Sequence, residues 1–202
     1  MPLFQRKSNF DIDPFTDLLF NVLLTFTFLF LIALLLLNPP AKSGIIDPKA
    51  EFIVTVSWPD GSPDDIDVWA TGPEGKKVWY KRAQDGLMHL DRDDRGLAND
   101  TQVVNGTEVV NPLNQEVLTI RGRPPGEFIV NIHYFKSETS EKVPVTIYLA
   151  EVNPVMKVLH YNTTLLSEEG DEATAVRFSI TPSGQVTNIN QLQKSIVKAI
   201  SK

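Results

Sequence analysis

The stretch DPFTDLLFNVLLTFTFLFLIALLLL, from Asp13 to Leu37, decides how this chain is organised. Its residues from Leu18 to Leu37 carry no charge, and a helix needs about 20 such apolar residues to cross the hydrocarbon core of a membrane. Because backbone polar groups there must find partners within their own segment, we expect a single transmembrane α-helix over residues 14–38. Asp17 lies at the start of the apolar run, where a carboxylate is costly and is therefore a functional candidate.

Asp17, Asn21 and Thr25 are four residues apart, so they form one polar stripe on an otherwise apolar helix. Such a stripe predicts that this face meets a protein partner or a water-filled passage. In the alternative interpretation, Asp13 is the N-cap, Pro14 is the first helical residue, and Asp17 is an interfacial acid favoured by the helix dipole. Asn21 and Thr25 weigh against that alternative because they continue the polar face inward, although threonine also bonds its own i−4 carbonyl.

The segment DPFTDLLFNVLL, residues 13–24, resembles the start of the single transmembrane helix in the ExbD, TolR and MotB proteins. Their shared form is Pro, then Phe or Leu, any residue, Asp and a hydrophobic run. Pro14 and Phe15 match the residues before the aspartate, and Asp17 takes the place of the aspartate that binds and releases the coupling ion. The resemblance covers residues 9–38 and is specific mainly through the combination of one helix, an early Asp and a C-terminal domain outside.

The resemblance implies a subunit of a proton- or sodium-driven motor in the bacterial inner membrane. Two copies of the helix would lie inside a five-membered ring of ExbB-, TolQ- or MotA-like subunits, and H⁺ or Na⁺ would occupy Asp17 in alternation as ion flow drives rotation. Asn21 and Thr25 would bond the carboxylate or water on the ion path. Residues 1–13 would be cytoplasmic, residues 39–50 a linker, and the remaining domain periplasmic.

The charges that flank the helix do not determine its orientation, which is therefore inferred from the resemblance. Arg6 and Lys7 precede the helix and Lys42 and Lys49 follow it, so the positive-inside bias is weak. A cleaved signal peptide is disfavoured because its apolar core is about 7–15 residues long. The main competing interpretation is a membrane-tethered binding or adhesion domain with no ion transport.

From residue 51 onward, short runs rich in β-branched and aromatic residues alternate with Gly, Pro, Asn and Asp. They predict an all-β sandwich, immunoglobulin-like or jelly-roll-like, over residues 51–188. The expected strands cover residues 52–58, 67–71, 77–81, 87–90, 115–120, 127–135, 143–151, 157–165 and 174–181, with a hairpin at residues 72–75. Residues 189–202 predict a short amphipathic C-terminal helix.

Acidic residues of this domain fall into two groups. Together they predict a Ca²⁺ site, since calcium prefers oxygen ligands. The candidate ligands are Asp64, Asp65 and Asp67 in the first group, which also includes Asp60, and Asp91, Asp93 and Asp94 in the second. The alternative is that Asp and Gly gather in loops because they form turns. Neither group has the spacing of an EF-hand loop, and no other cofactor is expected.

Composition excludes several classes of function. The chain has no cysteine, so disulfide and thiol chemistry are excluded. Its three histidines lack zinc-site spacing, and His133 is expected to be a solvated strand residue. No motif of a hydrolase, P-loop protein or zinc protease is present, so we expect no enzyme. The net charge of −6 disfavours nucleic acid as a partner.

The predicted sandwich departs from the α/β domains that ExbD, TolR and MotB carry outside the membrane. This difference puts cell-wall anchoring in doubt. We expect the partners to be the membrane ring, a second copy of the chain and a different periplasmic target.

Overall fold

The computed structural model of the chain describes residues 13–37, 49–97 and 100–197. These residues form two separate units, an N-terminal helix and a β domain. The rest of the sequence lies outside the described part, including residues 1–12 of the expected cytoplasmic segment, most of the expected linker, residue 38 and the last five residues.

The N-terminal unit is helix α1 (Pro14–Leu37), as the apolar run predicts. Among the described residues it is the one helix long and apolar enough to cross a membrane, over Pro14–Leu34, and that span is not buried by the rest of the chain. The helix begins at its cap: Asp13 accepts hydrogen bonds from the backbone N–H of Phe15 at 3.0 Å and the hydroxyl of Thr16 at 2.6 Å. A single-pass membrane anchor is compatible with this helix.

The β domain consists of antiparallel strands. Within the described residues the strands are β1 (Phe52–Trp58), β2 (Asp65–Thr71), β3 (Lys77–Val78), β4 (Gln84–Asp85), β5 (Met88–Arg92), β6 (Thr101–Val104), β7 (Thr107–Val110), β8 (Asn114–Ile120), β9 (Gly126–Lys136), β10 (Val143–Glu151), β11 (Lys157–Leu166), β12 (Glu172–Ile180) and β13 (Val186–Asn190). The first sheet has the order β11-β10-β1-β8-β5-β4, the second has the order β13-β12-β9-β2-β3, and β6 and β7 form a separate hairpin.

The two larger sheets share one hydrophobic core, so the all-β sandwich is confirmed. Alternate residues of β1 and β9 point into this core: Phe52, Val54, Val56 and Trp58 from β1, and Phe128, Val130, Ile132 and Tyr134 from β9. The Phe178 ring of β12 joins the sheets, because its centroid lies 5.2 Å from that of Phe128 in the same sheet and 5.8 Å from that of Phe52 in the other.

The nine expected strands are present, and four others, β4, β6, β7 and β13, were not expected. The turn between β6 and β7 is Asn105-Gly106, and both residues have positive φ, 52° and 79°. Asn-Gly between two β-rich runs is a strong hairpin signal, so the sequence did contain the information for these two strands. All residues of β6 and β7 are exposed, so neither strand needs an alternation of apolar and polar residues in its sequence.

The C-terminal helix expected over residues 189–202 is not shown by the described residues. Asn190 ends β13, and residues 191–196 are not helical. Instead, the Glu172 carboxylate accepts hydrogen bonds from the backbone N–H groups of Ile196 at 2.7 Å and Val197 at 3.1 Å. The expected helix fails here because side chains of the sheet, rather than helix carbonyls, satisfy this backbone.

This C-terminal segment covers the outer face of the second sheet. Ile196 packs with Trp69 and Ile129 in a small apolar cluster, and Asn131 of the same face is fully buried. His133 is consequently partly buried, with its ring centroid 6.2 Å from that of Trp69, and the expectation of a solvated histidine was wrong.

Replacing Glu172 with Ala should lower the free energy of unfolding of the β domain by about 2–3 kcal/mol, because several donors, including the buried Asn131 amide, lose a charged acceptor. Denaturant unfolding of the full chain in detergent micelles, followed by tryptophan fluorescence, measures this. Glu168→Ala is the matched control because Glu168 is exposed. Equal stability of the two variants would contradict the role of Glu172.

Candidate functional site

The polar stripe of α1 starts with a carboxylate that the helix does not need for capping. Asp13 already caps the N-terminus, and Pro14 and Phe15 occupy the first turn. Asp17 Oδ1 instead accepts a long hydrogen bond, 3.4 Å, from the side-chain amide of Asn21. The two polar groups therefore meet on one face of the helix, as their spacing predicts.

Thr25 uses its hydroxyl within the helix. It donates to the carbonyl oxygen of Asn21 at 2.8 Å, and Thr27 donates in the same way to Leu23 at 2.8 Å. Thr25 therefore continues the polar stripe by position, while its hydrogen bond goes to the backbone and not to Asp17.

Three of the six candidate calcium ligands, Asp64, Asp91 and Asp94, accept hydrogen bonds from other parts of the domain. Asp64 accepts from the backbone N–H groups of Glu138 at 2.8 Å and Thr139 at 3.1 Å, and from the hydroxyls of Thr139 and Ser62 at 2.8 and 2.9 Å. Burial raises the pKa of Asp64, but these hydrogen bonds outweigh it and leave the pKa below its usual value.

Asp91 and Asp94 have partners of their own. Asp91 accepts from the Thr119 hydroxyl at 2.6 Å and pairs with Arg121 at 3.0 Å. Asp94 pairs with Arg92 at 2.7 Å and accepts from the backbone N–H of Gln115 at 3.1 Å. Neither residue belongs to the group of carboxylates that the structure brings together.

That group consists of Asp67, Asp93 and Glu116, called here the tricarboxylate site. Each residue offers a carboxylate oxygen, and these oxygens all lie within 4.8 Å of one another. Asp65 lies two residues before Asp67 on the same side of β2 and adds a further negative charge. The sequence analysis therefore identified Asp67 and Asp93 of this site and the neighbouring Asp65, but it did not identify Glu116.

Glu116 reaches the site from the opposite sheet. It alternates with Leu118 and Ile120 on the core-facing side of β8, and its Oε2 accepts the backbone N–H of Val68 at 2.6 Å. β3 pairs only with the last two residues of β2, so Val68 lies at an open edge of the second sheet. A single Glu on a buried strand face gives no acidic run, which is why the sequence pattern did not identify it.

Asp93 reaches the site because β5 runs beside β8, with a register shift between Leu90 and Arg92 just before it. The loop that follows packs tightly: Gly96 has φ +62°, and a Cβ there would lie 2.6 Å from the carbonyl oxygen of Pro63. Only glycine allows this approach without strain. The loop after β5 is thus held against the loop that leads into β2.

Burial and mutual repulsion dominate the electrostatics of the cluster. Glu116 is fully buried and Asp67 is 3% exposed, and Glu116 Oε1, Asp67 Oδ2 and Asp65 Oδ1 have no hydrogen-bond partner. Burial, followed by the charge of Asp93, raises the pKa of Asp65 to about 6. Burial, followed by Asp65 and Asp93, raises the pKa of Asp67 to about 7.

The pKa of Glu116 lies well above its usual value, first because of burial and then because of Asp67 and Asp93. Asp93 is exposed, so the site opens to solvent on that side. Carboxylates in this arrangement bind protons or a cation.

The chain matches no family model, no curated protein and no solved structure. The resemblance of its helix to ExbD, TolR and MotB therefore has no support from these comparisons. The geometry of α1 and of the tricarboxylate site is what bears on function.

In metal-free protein, we expect the raised pKa values of Asp65 and Asp67 to lower stability as the pH rises from about 4 to about 7. A carboxyl group with a raised pKa holds its proton in the folded state at a pH where the unfolded chain has lost it, so rising pH favours unfolding. His133 and His160, whose pKa values burial lowers, act in the opposite sense below about pH 6.5. Comparing the pH dependence of the parent chain with that of Asp67→Asn separates the contribution of the carboxyl groups from that of the histidines.

The fall in the free energy of unfolding over this pH range should be smaller in Asp67→Asn than in the parent chain. Urea unfolding with chelator present, followed by tryptophan fluorescence, measures it. Asp60→Asn makes the same charge change at an exposed residue and should keep the parent pH dependence. An unchanged pH dependence in Asp67→Asn would contradict the raised pKa of this group.

Proposed function

We propose that this chain is a subunit of an ion-driven membrane motor of the ExbD, TolR and MotB kind, with Asp17 as the ion carrier. The observation that carries the proposal is the position of Asp17, in the first turn of an apolar 24-residue helix whose N-terminus Asp13 already caps. A helix that only tethers a domain does not need this second carboxylate. In membrane segments such a residue is a functional candidate.

The proposed mechanism follows from the cost of charge in hydrocarbon. An ionised Asp17 is held at polar or hydrated positions, and binding of H⁺ or Na⁺ neutralises it so that it can pass apolar surfaces. Asn21 donates to the carboxylate and so directs it along the polar stripe. Alternation between the two forms lets ion flow move neighbouring helices in one direction.

The partner surface is supplied by α1 itself. Its described side chains are exposed throughout Pro14–Leu34, so its apolar faces are available to lipid or to other membrane helices. The polar stripe is unfavourable against lipid and favours a protein or water-lined partner. In the proposed assembly, two copies lie within a pentameric ring in the bacterial inner membrane, with the N-terminus cytoplasmic and the β domain periplasmic.

The β domain is suited to transmit force from the helix. β1 is the first strand after the membrane segment in the chain, and it pairs with β10 on one side and β8 on the other. A pull on its N-terminal end would load the interior of a sheet rather than an edge. Arg123 reinforces this end through ion pairs to Glu51 at 2.7 Å and Glu151 at 2.5 Å, with its guanidinium 4.9 Å from the Phe52 ring centroid.

A membrane-tethered binding module without ion transport is the second candidate. The observation that favours it is the all-β domain, which differs from the α/β domains implied by the resemblance. Neither candidate assigns an enzymatic activity or a nucleic-acid partner to the chain.

The test is co-expression with a candidate ring subunit, a multi-helix membrane protein of the ExbB, TolQ or MotA kind, followed by imaging of the complex and measurement of ion flux in vesicles. The Asp17→Asn variant should keep a five-to-two assembly and lose ion-dependent activity, because the carrier charge is gone. Asp13→Asn is the matched control, since Asn caps a helix as well as Asp does. It should keep both assembly and activity.

A monomer or dimer without a ring, or full ion-dependent activity after Asp17→Asn, would overturn the proposal. A monomer or dimer that lacks the ring but still binds its target would support the tethered binding module.

A further inference from the structure

The tricarboxylate site has negative charge that the protein itself does not balance. Asp67 and Glu116 are buried, each has one oxygen without a hydrogen-bond partner, and no ion pair among the described residues includes either one or Asp93. Burial of a carboxylate without a donor or counter-charge is strongly unfavourable. Carboxylate oxygens from two separate sheets lie within 4.8 Å of one another here, which is the arrangement that a bound cation requires.

The donor set selects the class of cation. All three ligands are carboxylates, the chain has no cysteine, and no histidine belongs to the group. Hard cations prefer such oxygen ligands, whereas zinc and copper prefer nitrogen and sulfur. Oxygens within 4.8 Å of one another fit a calcium ion, whose opposite ligands are about 4.6–5.2 Å apart. Magnesium usually keeps most of its waters and takes one or two carboxylates.

We propose that the β domain binds one calcium ion through the carboxylates of Asp67, Asp93 and Glu116. Asp93 is exposed and provides the side from which the ion and its remaining water ligands enter. Asp65 adds negative charge from the same side of β2. The proposal concerns the β domain alone and is independent of whether Asp17 carries ions.

Calcium at this site would join parts of the domain that are distant in sequence. Asp67 lies on β2 of the second sheet, Glu116 on β8 of the first, and Asp93 in the loop after β5. The ion therefore cross-links the two sheets at the open edge beside Val68. Affinity typical of extracellular calcium modules, with a Kd of about 10⁻⁴–10⁻³ M, suffices for this structural role outside the cytoplasm.

The experiment uses the full chain in detergent micelles, stripped with chelator and then titrated with CaCl₂ or MgCl₂ by calorimetry and thermal melting. Calcium at about 10 mM should raise the melting temperature of the parent chain by about 3–10 °C, and magnesium should raise it less. Glu116→Gln and Asp93→Asn should weaken calcium binding at least about tenfold. Asp91→Asn is the matched control, since it removes the same charge two residues from Asp93 but outside the site.

If these carboxylates had a purely structural role, their substitution would lower the stability of the calcium-free protein. If the site instead binds a cation, Glu116→Gln and Asp93→Asn should be at least as stable as the parent chain when calcium is absent, because each substitution relieves repulsion between carboxylates. Asp91→Asn should be less stable, because it loses its ion pair with Arg121. Calcium stabilisation that persists in both site variants would overturn the proposal, and so would the absence of any calcium heat in the parent chain. An equal response to magnesium would overturn the assignment to calcium.

Discussion

Backbone N–H groups that leave water need an acceptor, and this constraint shapes both described units of the chain. In α1 the helix satisfies it internally, which is the condition for any single segment that crosses hydrocarbon. In the β domain the antiparallel ladders satisfy it between strands. Where the ladders end, carboxylates take over: Glu116 accepts from Val68, Glu172 from Ile196 and Val197, and Asp64 from two residues of a loop.

These carboxylates differ in whether both oxygens are used, and the difference decides their chemistry. In Asp64 and Glu172 each oxygen accepts hydrogen bonds, and although burial opposes it, their pKa values end below the usual ones. In Glu116 one oxygen accepts from Val68 and the other has no partner, so burial prevails and its pKa is raised. The same residue type is a structural acceptor in one place and a ligand-binding group in another.

Local patterns in the sequence predicted much of this structure. The apolar run predicted α1, and runs of β-branched and aromatic residues predicted the core-facing strands such as β1 and β9. The C-terminal segment was mispredicted because its apolar spacing fits a helix, while the acceptor that fixes it, Glu172, lies elsewhere in the chain. Half of the acidic candidates, Asp64, Asp91 and Asp94, are acceptors within the protein. Glu116 was missed because a partner from the opposite sheet leaves no trace in local spacing.

The two candidate sites differ in charge in a way that fits two different ions. Asp17 is one carboxylate with one weak amide donor on an apolar helix, so a single monovalent ion suffices to neutralise it. The tricarboxylate site gathers three carboxylates, two of them buried, and retains negative charge even with one proton bound. A divalent ion matches that excess and gains three ligands at once. The proposed transport function therefore needs the exchangeable site in the helix, whereas a domain that bears load gains from the ion that stays bound.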